Sequence, residues 1–178
     1  LYDLTTLQRD ANRLLGFTAQ QTLDYLQNLY EKKLCTYPRT DSRYLTSDMA
    51  EGLPVLVNLV ANAMPFRKGI AISCDAAAVI NDKKVTDHHA VIPTRNIREA
   101  DLTALPVGER AILELVALRL LCAVAQPYTF AETAVVVECA GAEFTAKGRT
   151  VKQPGWRALD AAYRATMKSA PEQDGNSE

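Results

Sequence analysis

The spacing of apolar residues changes once along the chain, near Pro127. Before that point apolar residues recur at helical spacing, and the segment from Gly108 to Ala125 is apolar almost all round, as expected of a buried helix. From Thr129 onward apolar and polar residues alternate, and Gly141 separates two such runs, which predicts a β-hairpin. The chain is therefore predicted to be α+β, mostly helical at first and then sheet.

Two short amphipathic helices open the helical part. The first is predicted to start at Thr5-Thr6-Leu7-Gln8, with a threonine as its cap, and to end at Gly16. The second starts with the capping box Thr18-Ala19-Gln20-Gln21 and is predicted to run to Leu34. Two helices joined by a short turn that contains glycine have the outline of a helix-turn-helix.

Further along, Thr46-Ser47-Asp48 is a cap signal for a third helix, predicted to run to about Asn62. Between the second and third helices, Pro38 disfavours helix at Tyr37 and cannot donate a backbone hydrogen bond. Residues 37–42 are therefore predicted to form a loop, from which polar side chains can face a groove.

Charge and cysteine content exclude several classes of protein. The chain has 20 basic and 21 acidic residues, so any contact with DNA must come from a local cluster. No apolar run reaches the roughly 18 residues of a transmembrane helix, and we expect a cytoplasmic protein without membrane contact. No C-x-x-C pair occurs, which predicts buried, reduced thiols rather than a zinc ribbon, at Cys35, Cys74, Cys122 and Cys139.

Tyr37 is the first candidate nucleophile. A phenol is weakly nucleophilic at neutral pH unless positive charge or a base helps to remove its proton, and Arg39 and Arg43 are close in sequence. Both arginines can also hold a phosphate, and Arg39 could do so through a bidentate fork. From the residues alone, packing or a turn is the better explanation of a tyrosine beside a proline.

Three stretches together resemble one family. Residues 35–45, Cys-Thr-Tyr-Pro-Arg-Thr-Asp-Ser-Arg-Tyr-Leu, resemble the active-site segment of type IA DNA topoisomerases, and most of all the topoisomerase III branch. Thr5-Thr6-Leu7-Gln8 is similar to that family's S/T-x-L-Q segment, and residues 88–94, His-His-Ala-Val-Ile-Pro-Thr, resemble its H-x-A-I-x-P-T segment. The three matches occur in the family's order over about ninety residues.

The resemblance implies an enzyme that cleaves and religates single-stranded DNA through a 5′-phosphotyrosine intermediate. Tyr37 corresponds to the nucleophile, Arg39 to the arginine that stabilises the scissile phosphate, and His88 to the histidine that supports phosphate binding and proton transfer. Further DNA contacts are predicted, with loop or helix capping as the alternative role, for Arg43, Thr40, Asp41, Ser42, Thr6 and Gln8.

No metal site is predicted in this chain. His88 and His89 are neighbours on an extended segment and point to opposite faces, so they cannot grip one ion. The family's magnesium is held by an acid cluster in a Toprim domain, and the chain has no Glu followed by D-x-D. We therefore expect a fragment that requires no cofactor itself and relaxes no DNA alone, with Mg²⁺ bound elsewhere in the parent enzyme.

The resemblance also implies a domain layout and partners. Residues 1–125 correspond to a helical gate domain, residues 126–170 to part of a β-rich arch domain, and the polar residues 171–178 are predicted to be disordered. An incomplete arch would expose apolar sheet surface and favour pairing between copies. The expected partners are single-stranded DNA in the nucleoid and the rest of the topoisomerase chain, and a partner helicase is left open.

Two alternatives of other classes remain from the sequence. Residues 4–34 could be a non-catalytic helix-turn-helix module whose recognition helix binds duplex DNA through Gln20, Gln21 or Gln27. The chain could also be a scaffold for protein interaction, in which case Tyr37 would be buried.

Overall fold

The computed structural model describes residues 1–168, so the predicted disordered tail lies outside the described residues. The described part is α+β, as predicted, with five α-helices and one antiparallel hairpin. Short 3₁₀ turns connect α3 to α4. The elements are α1 (Leu4–Leu15), α2 (Ala19–Glu31), α3 (Leu53–Ala63), α4 (Val107–Ala123), β1 (Thr129–Cys139), β2 (Ala142–Gln153) and α5 (Trp156–Lys168).

Helix α1 is capped by an aspartate and not by the predicted threonine. The Asp3 carboxylate accepts the backbone N–H of Thr6 at 2.6 Å, and the helix therefore begins one residue before Thr5. At the other end Gly16 adopts φ 72° and donates its N–H to the carbonyl of Asn12. Glycine takes this left-handed conformation without steric cost, which confirms its predicted role in ending the helix.

Helix α2 has the predicted capping box. The Thr18 hydroxyl accepts the N–H of Gln21, and the Gln21 side chain accepts the N–H of Thr18. The prediction that this helix continues to Leu34 is wrong, because Lys33 adopts φ 59° and turns the chain. The Leu34 N–H then donates back to the carbonyl of Leu29 at 2.8 Å.

The predicted third helix is two elements. Ser47–Met49 forms a 3₁₀ turn, and α3 begins only at Leu53, with Pro54 in its first turn. A proline lacks the N–H that an interior helical position needs and is tolerated only where that N–H has no partner. The helix therefore has to start beside Pro54, and it cannot extend through this residue from Thr46.

Helix α4 is the centre of the core, as its sequence predicts. It is packed against α1, α2, α3 and α5. Buried leucines and Ile112 line it on most sides, and each such side chain contributes about 1.5–3 kcal/mol on burial. Helix α5, which the sequence analysis did not predict, returns the chain to this core and buries Leu159 and Tyr163.

The predicted hairpin is confirmed, and its two faces differ. Ala140 and Gly141 form its two-residue turn, with φ values of 52° and 81°. Directly paired residues share a face, and one face carries only apolar, small or hydroxyl side chains, with Val137 paired to Phe144 near the turn. The other face carries the charged side chains. All residues of β1 are exposed, so this apolar face is uncovered by any described residue.

The four cysteines are free, as predicted, but their burial differs from the prediction. Cys35 is buried, Cys74 and Cys122 are half-buried, and Cys139 is exposed beside the hairpin turn. The exposure of Cys139 follows from the hairpin, which contacts little of the helical core.

We predict that residues 1–178 self-associate through the apolar face of the hairpin. The double substitution Val137→Thr and Phe144→Thr should weaken this association by about tenfold or more. Threonine removes apolar surface from this face and keeps the β-propensity of the strands. Sedimentation velocity over a concentration series measures the effect. The matched control is the double substitution Val136→Thr and Val151→Thr on the opposite face of the hairpin. Equal association of all three proteins would contradict the prediction.

Candidate active site around Tyr37

The loop that carries Tyr37 is paired with the histidine segment, residues 88–94. The Thr36 N–H donates to the carbonyl of Ile92 at 3.0 Å, and the Thr94 N–H donates to the carbonyl of Leu34 at 2.9 Å. Cys35 and Pro93 form the antiparallel bridge between them. The two motifs are about fifty residues apart in sequence, and this pairing brings them side by side.

The Tyr37 ring is half-buried between two other rings. The His88 ring lies 4.4 Å away between centroids, tilted by 43°, and the Tyr30 ring lies 5.5 Å away, edge-on at 82°. His88 is exposed. No described residue forms a hydrogen bond with the Tyr37 hydroxyl. The candidate nucleophile is therefore held through its ring while its oxygen is free.

Arg39 is exposed and makes no ion pair with any residue that the structure describes. The neighbouring Pro38 is buried, which anchors the loop from which Arg39 extends. Arg39 and Tyr37 form no hydrogen bond or cation–π contact with each other. It leaves a guanidinium two residues from the candidate nucleophile, free to bind an anion.

Two of the predicted DNA contacts are buried. Thr40 is 9% exposed and donates its hydroxyl to the carbonyl of His88 at 2.8 Å. Ser42 is 4% exposed and donates its hydroxyl to the carbonyl of Lys84 at 2.8 Å. Asp41, between them, is exposed. These hydrogen bonds support a role for Thr40 and Ser42 in forming the loop. Their direct contact with a DNA strand stays a prediction.

The remaining predicted contacts lie around the start of α1. The Arg43 Nε donates to the Asp3 carboxylate at 3.0 Å, and Asp3 also accepts the N–H of Thr6. Burial alone would raise the pKa of Asp3, but the hydrogen bonds from Thr6 and Arg43 outweigh it and lower that pKa. The Gln8 amide donates to the carbonyl of Ala19 at 3.0 Å and so joins α1 to α2.

The described residues contain neither a metal-binding cluster nor a membrane-spanning helix. His89 is half-buried, and its Nδ1 lies 2.8 Å from the carbonyl of Ala90. No group of three or more His, Cys, Asp or Glu side chains within residues 1–168 could hold a metal ion. No helix in this range is long and apolar enough to cross a membrane.

A partly buried cluster that the sequence did not predict contacts the histidine segment. The Tyr2 hydroxyl donates to the Asp10 carboxylate at 2.7 Å, and Arg119 forms an ion pair with Asp10 while its guanidinium lies 4.5 Å from the centre of the Tyr2 ring. Burial raises the pKa of Tyr2 well above its ordinary value. The Tyr2 carbonyl accepts the N–H of Val91 at 2.9 Å, so the cluster supports the histidine segment.

Tyr30 and Thr36 were also missed, although both contact the candidate site. Tyr30 is the penultimate residue of α2, where helical spacing gives no signal of a role in a site. The Thr36 hydroxyl donates to the carbonyl of Ala90 at 3.2 Å and accepts the N–H of Ile92 at 3.0 Å. A local pattern gives no signal for the contacts of Thr36, which are with a segment more than fifty residues away.

The chain matches the family model for DNA topoisomerase over residues 1–177. Because this match covers nearly the whole chain, the protein belongs to the DNA topoisomerase family. The three sequence motifs therefore occur in a chain of the family that they resemble.

The relatives specify the branch. The chain is 44% identical over 167 residues to DNA topoisomerase 3 of Bacillus licheniformis and 43% identical over 167 residues to that of Bacillus subtilis. DNA topoisomerase 3 of Shouchella clausii is 41% identical over 164 residues. The alignments cover 88–89% of this chain and 22% of each relative. The predicted resemblance to type IA enzymes of the topoisomerase III kind is confirmed, and the chain spans about a fifth of their length.

Proposed function

We propose that this chain is a segment of a longer type IA topoisomerase, which cleaves and religates single-stranded DNA through Tyr37. The observation that carries the proposal is the free Tyr37 hydroxyl on a ring 4.4 Å from that of His88. The family match supports this function over the helix-turn-helix module. The half-exposure of Tyr37 also argues against a scaffold in which that ring is buried.

The proposed reaction is a transesterification. The Tyr37 oxygen loses its proton and attacks the phosphorus, forming an O–P bond as the bond from phosphorus to the 3′ oxygen breaks. The 3′ oxygen takes up a proton and leaves as a hydroxyl, while the 5′ phosphate stays on the tyrosine. A phenolate is in turn a good leaving group, so the 3′ hydroxyl can attack the phosphotyrosine and restore the strand.

Arg39 and His88 act on the phosphate in this proposal. A guanidinium beside the pentacoordinate phosphorus stabilises the charge that develops there, and Arg39 has no competing carboxylate among the described residues. The imidazole of His88 lies against the nucleophile's ring, where it can bind a phosphate oxygen or carry a proton. Arg43, whose Nε donates to the Asp3 carboxylate, would contact the strand next to the loop in this proposal.

The rest of the longer protein completes the site. The described residues do not fit the magnesium of the family, because their acids form no cluster of ligands and Asp41 stands alone in the tyrosine loop. The same proposal divides the chain into a helical gate domain, residues 1–125, and a partial arch domain, residues 126–170. The exposed hairpin supports this division, whereas α5, which also lies within residues 126–170, packs against α4 of the proposed gate.

The polarity of the covalent adduct tests this function. The longer protein is incubated with a single-stranded oligonucleotide that carries a label at one end, and the reaction is stopped with denaturant. A 3′-end label should migrate with the protein, and a 5′-end label should appear on a shorter oligonucleotide with a free 3′ hydroxyl. A 5′-end label on the protein, or no adduct with either label, would contradict the proposal.

A further inference from the structure

Two threonines flank the candidate nucleophile, Thr36 directly before Tyr37 and Thr40 three residues after it. Their hydroxyls donate to alternate carbonyls of the histidine segment. Thr36 donates to Ala90 at 3.2 Å, and Thr40 donates to His88 at 2.8 Å.

These hydrogen bonds do more than attach the loop. The backbone pair between Thr36 and Ile92 already joins the two segments, and the Thr40 carbonyl accepts the N–H of Leu4 at 3.1 Å. The two hydroxyls add contacts on both sides of Tyr37, one of them to the backbone of His88 itself. They therefore restrict sliding of the loop along the segment that carries the imidazole.

We propose that Thr36 and Thr40, the threonine pair, are positioning residues that set Tyr37 against His88 for the reaction. The inference rests on the proposed function, because it concerns the rate of phosphotyrosine formation. Neither residue needs to touch DNA. Thr40 is nearly buried, and its hydroxyl is already used as a donor. A displacement of about one ångström between reacting groups lowers rates by up to about 100-fold.

The first test removes each hydroxyl and keeps the side-chain shape. Thr36→Val and Thr40→Val are made in the longer protein, and single-turnover adduct formation is measured with a single-stranded oligonucleotide. Each change should slow adduct formation by about 10- to 100-fold, with oligonucleotide affinity within about twofold of wild type. Thr36→Ser and Thr40→Ser keep the hydroxyl and should recover most of the rate. Thr46→Val is the matched control, because that side chain makes no capping hydrogen bond.

The second test asks whether the threonines act through His88. In a His88→Ala background, Thr40→Val should slow adduct formation by less than about twofold, because the group that it positions is gone. If the rate losses of Thr40→Val and His88→Ala multiply in the double variant, the two residues act independently. That result would indicate a merely structural role for Thr40 and overturn the inference. Rate losses that follow a lowered Tm and that serine does not recover would overturn it as well.

Tyr37→Phe separates this inference from the proposed function. An adduct that persists in Tyr37→Phe removes the proposed function and the inference together. If Tyr37→Phe forms no adduct and both valine variants react at the wild-type rate, the proposed function stands and the inference fails.

Discussion

Tyr37→Phe in the longer protein should reduce formation of the covalent DNA adduct by at least about 10⁴-fold, since loss of a nucleophile removes the reaction path itself. Phenylalanine keeps the ring contacts with Tyr30 and His88 and removes only the oxygen. The Tm should therefore stay close to that of wild type. Denaturing gel electrophoresis of the protein after reaction with labelled oligonucleotide measures the adduct.

Tyr30→Phe is the matched control for this variant. It removes the hydroxyl of the neighbouring ring, which is 40% exposed and packs edge-on against Tyr37. Tyr30→Phe should react within about threefold of wild type, because the ring packing is preserved. Substantial adduct from Tyr37→Phe, or equal losses in both variants, would show that the nucleophile lies elsewhere.

Arg39→Ala should lower the rate of adduct formation by about 10²- to 10³-fold, the usual cost of removing one group that stabilises a developing charge. Arg39→Lys should recover only part of this rate, since an ammonium keeps the charge and loses the bidentate fork. The affinity for the oligonucleotide should change much less than the rate of adduct formation, because Arg39 is only one of several cationic side chains. Single-turnover kinetics and a binding titration separate the two effects.

Arg9→Ala is the control for charge. Arg9 is also exposed, lies on α1, and makes no ion pair with a described residue. Its removal should leave the rate within about twofold of wild type. An Arg39→Ala variant as active as Arg9→Ala would exclude Arg39 from the phosphate site.

Local signals predicted those elements that local interactions determine. The capping box at Thr18, the left-handed Gly16 and the hairpin turn at Gly141 each act within a few residues, and all three are confirmed. Helix α5 was not predicted, although Leu159 and Tyr163 recur at helical spacing. The polar residues around them are also typical of a loop that leaves the hairpin. Its burial against α4 is a tertiary contact that the local pattern does not contain.

The candidate site was predicted in its residues and not in its geometry. Tyr37, Arg39 and His88 were identified through motifs, and their roles stay predictions. That Tyr37 and His88 are in ring contact depends on the pairing of residues 34–36 with residues 92–94. The segment between them contains α3, irregular chain and 3₁₀ turns, and no local pattern in it determines the register of this pairing. The hydrogen bonds of the threonine pair could not be predicted for the same reason, because they depend on this pairing.

The central claim is that the oxygen of Tyr37 becomes bonded to the 5′ phosphate of a cleaved strand. Peptide mapping of the trapped adduct by mass spectrometry, after nuclease and protease digestion, tests it most directly. The account predicts a nucleotide remnant on the Tyr37 side chain in the peptide that contains residues 34–39. A remnant on any other residue, with Tyr37 recovered unmodified, would contradict it.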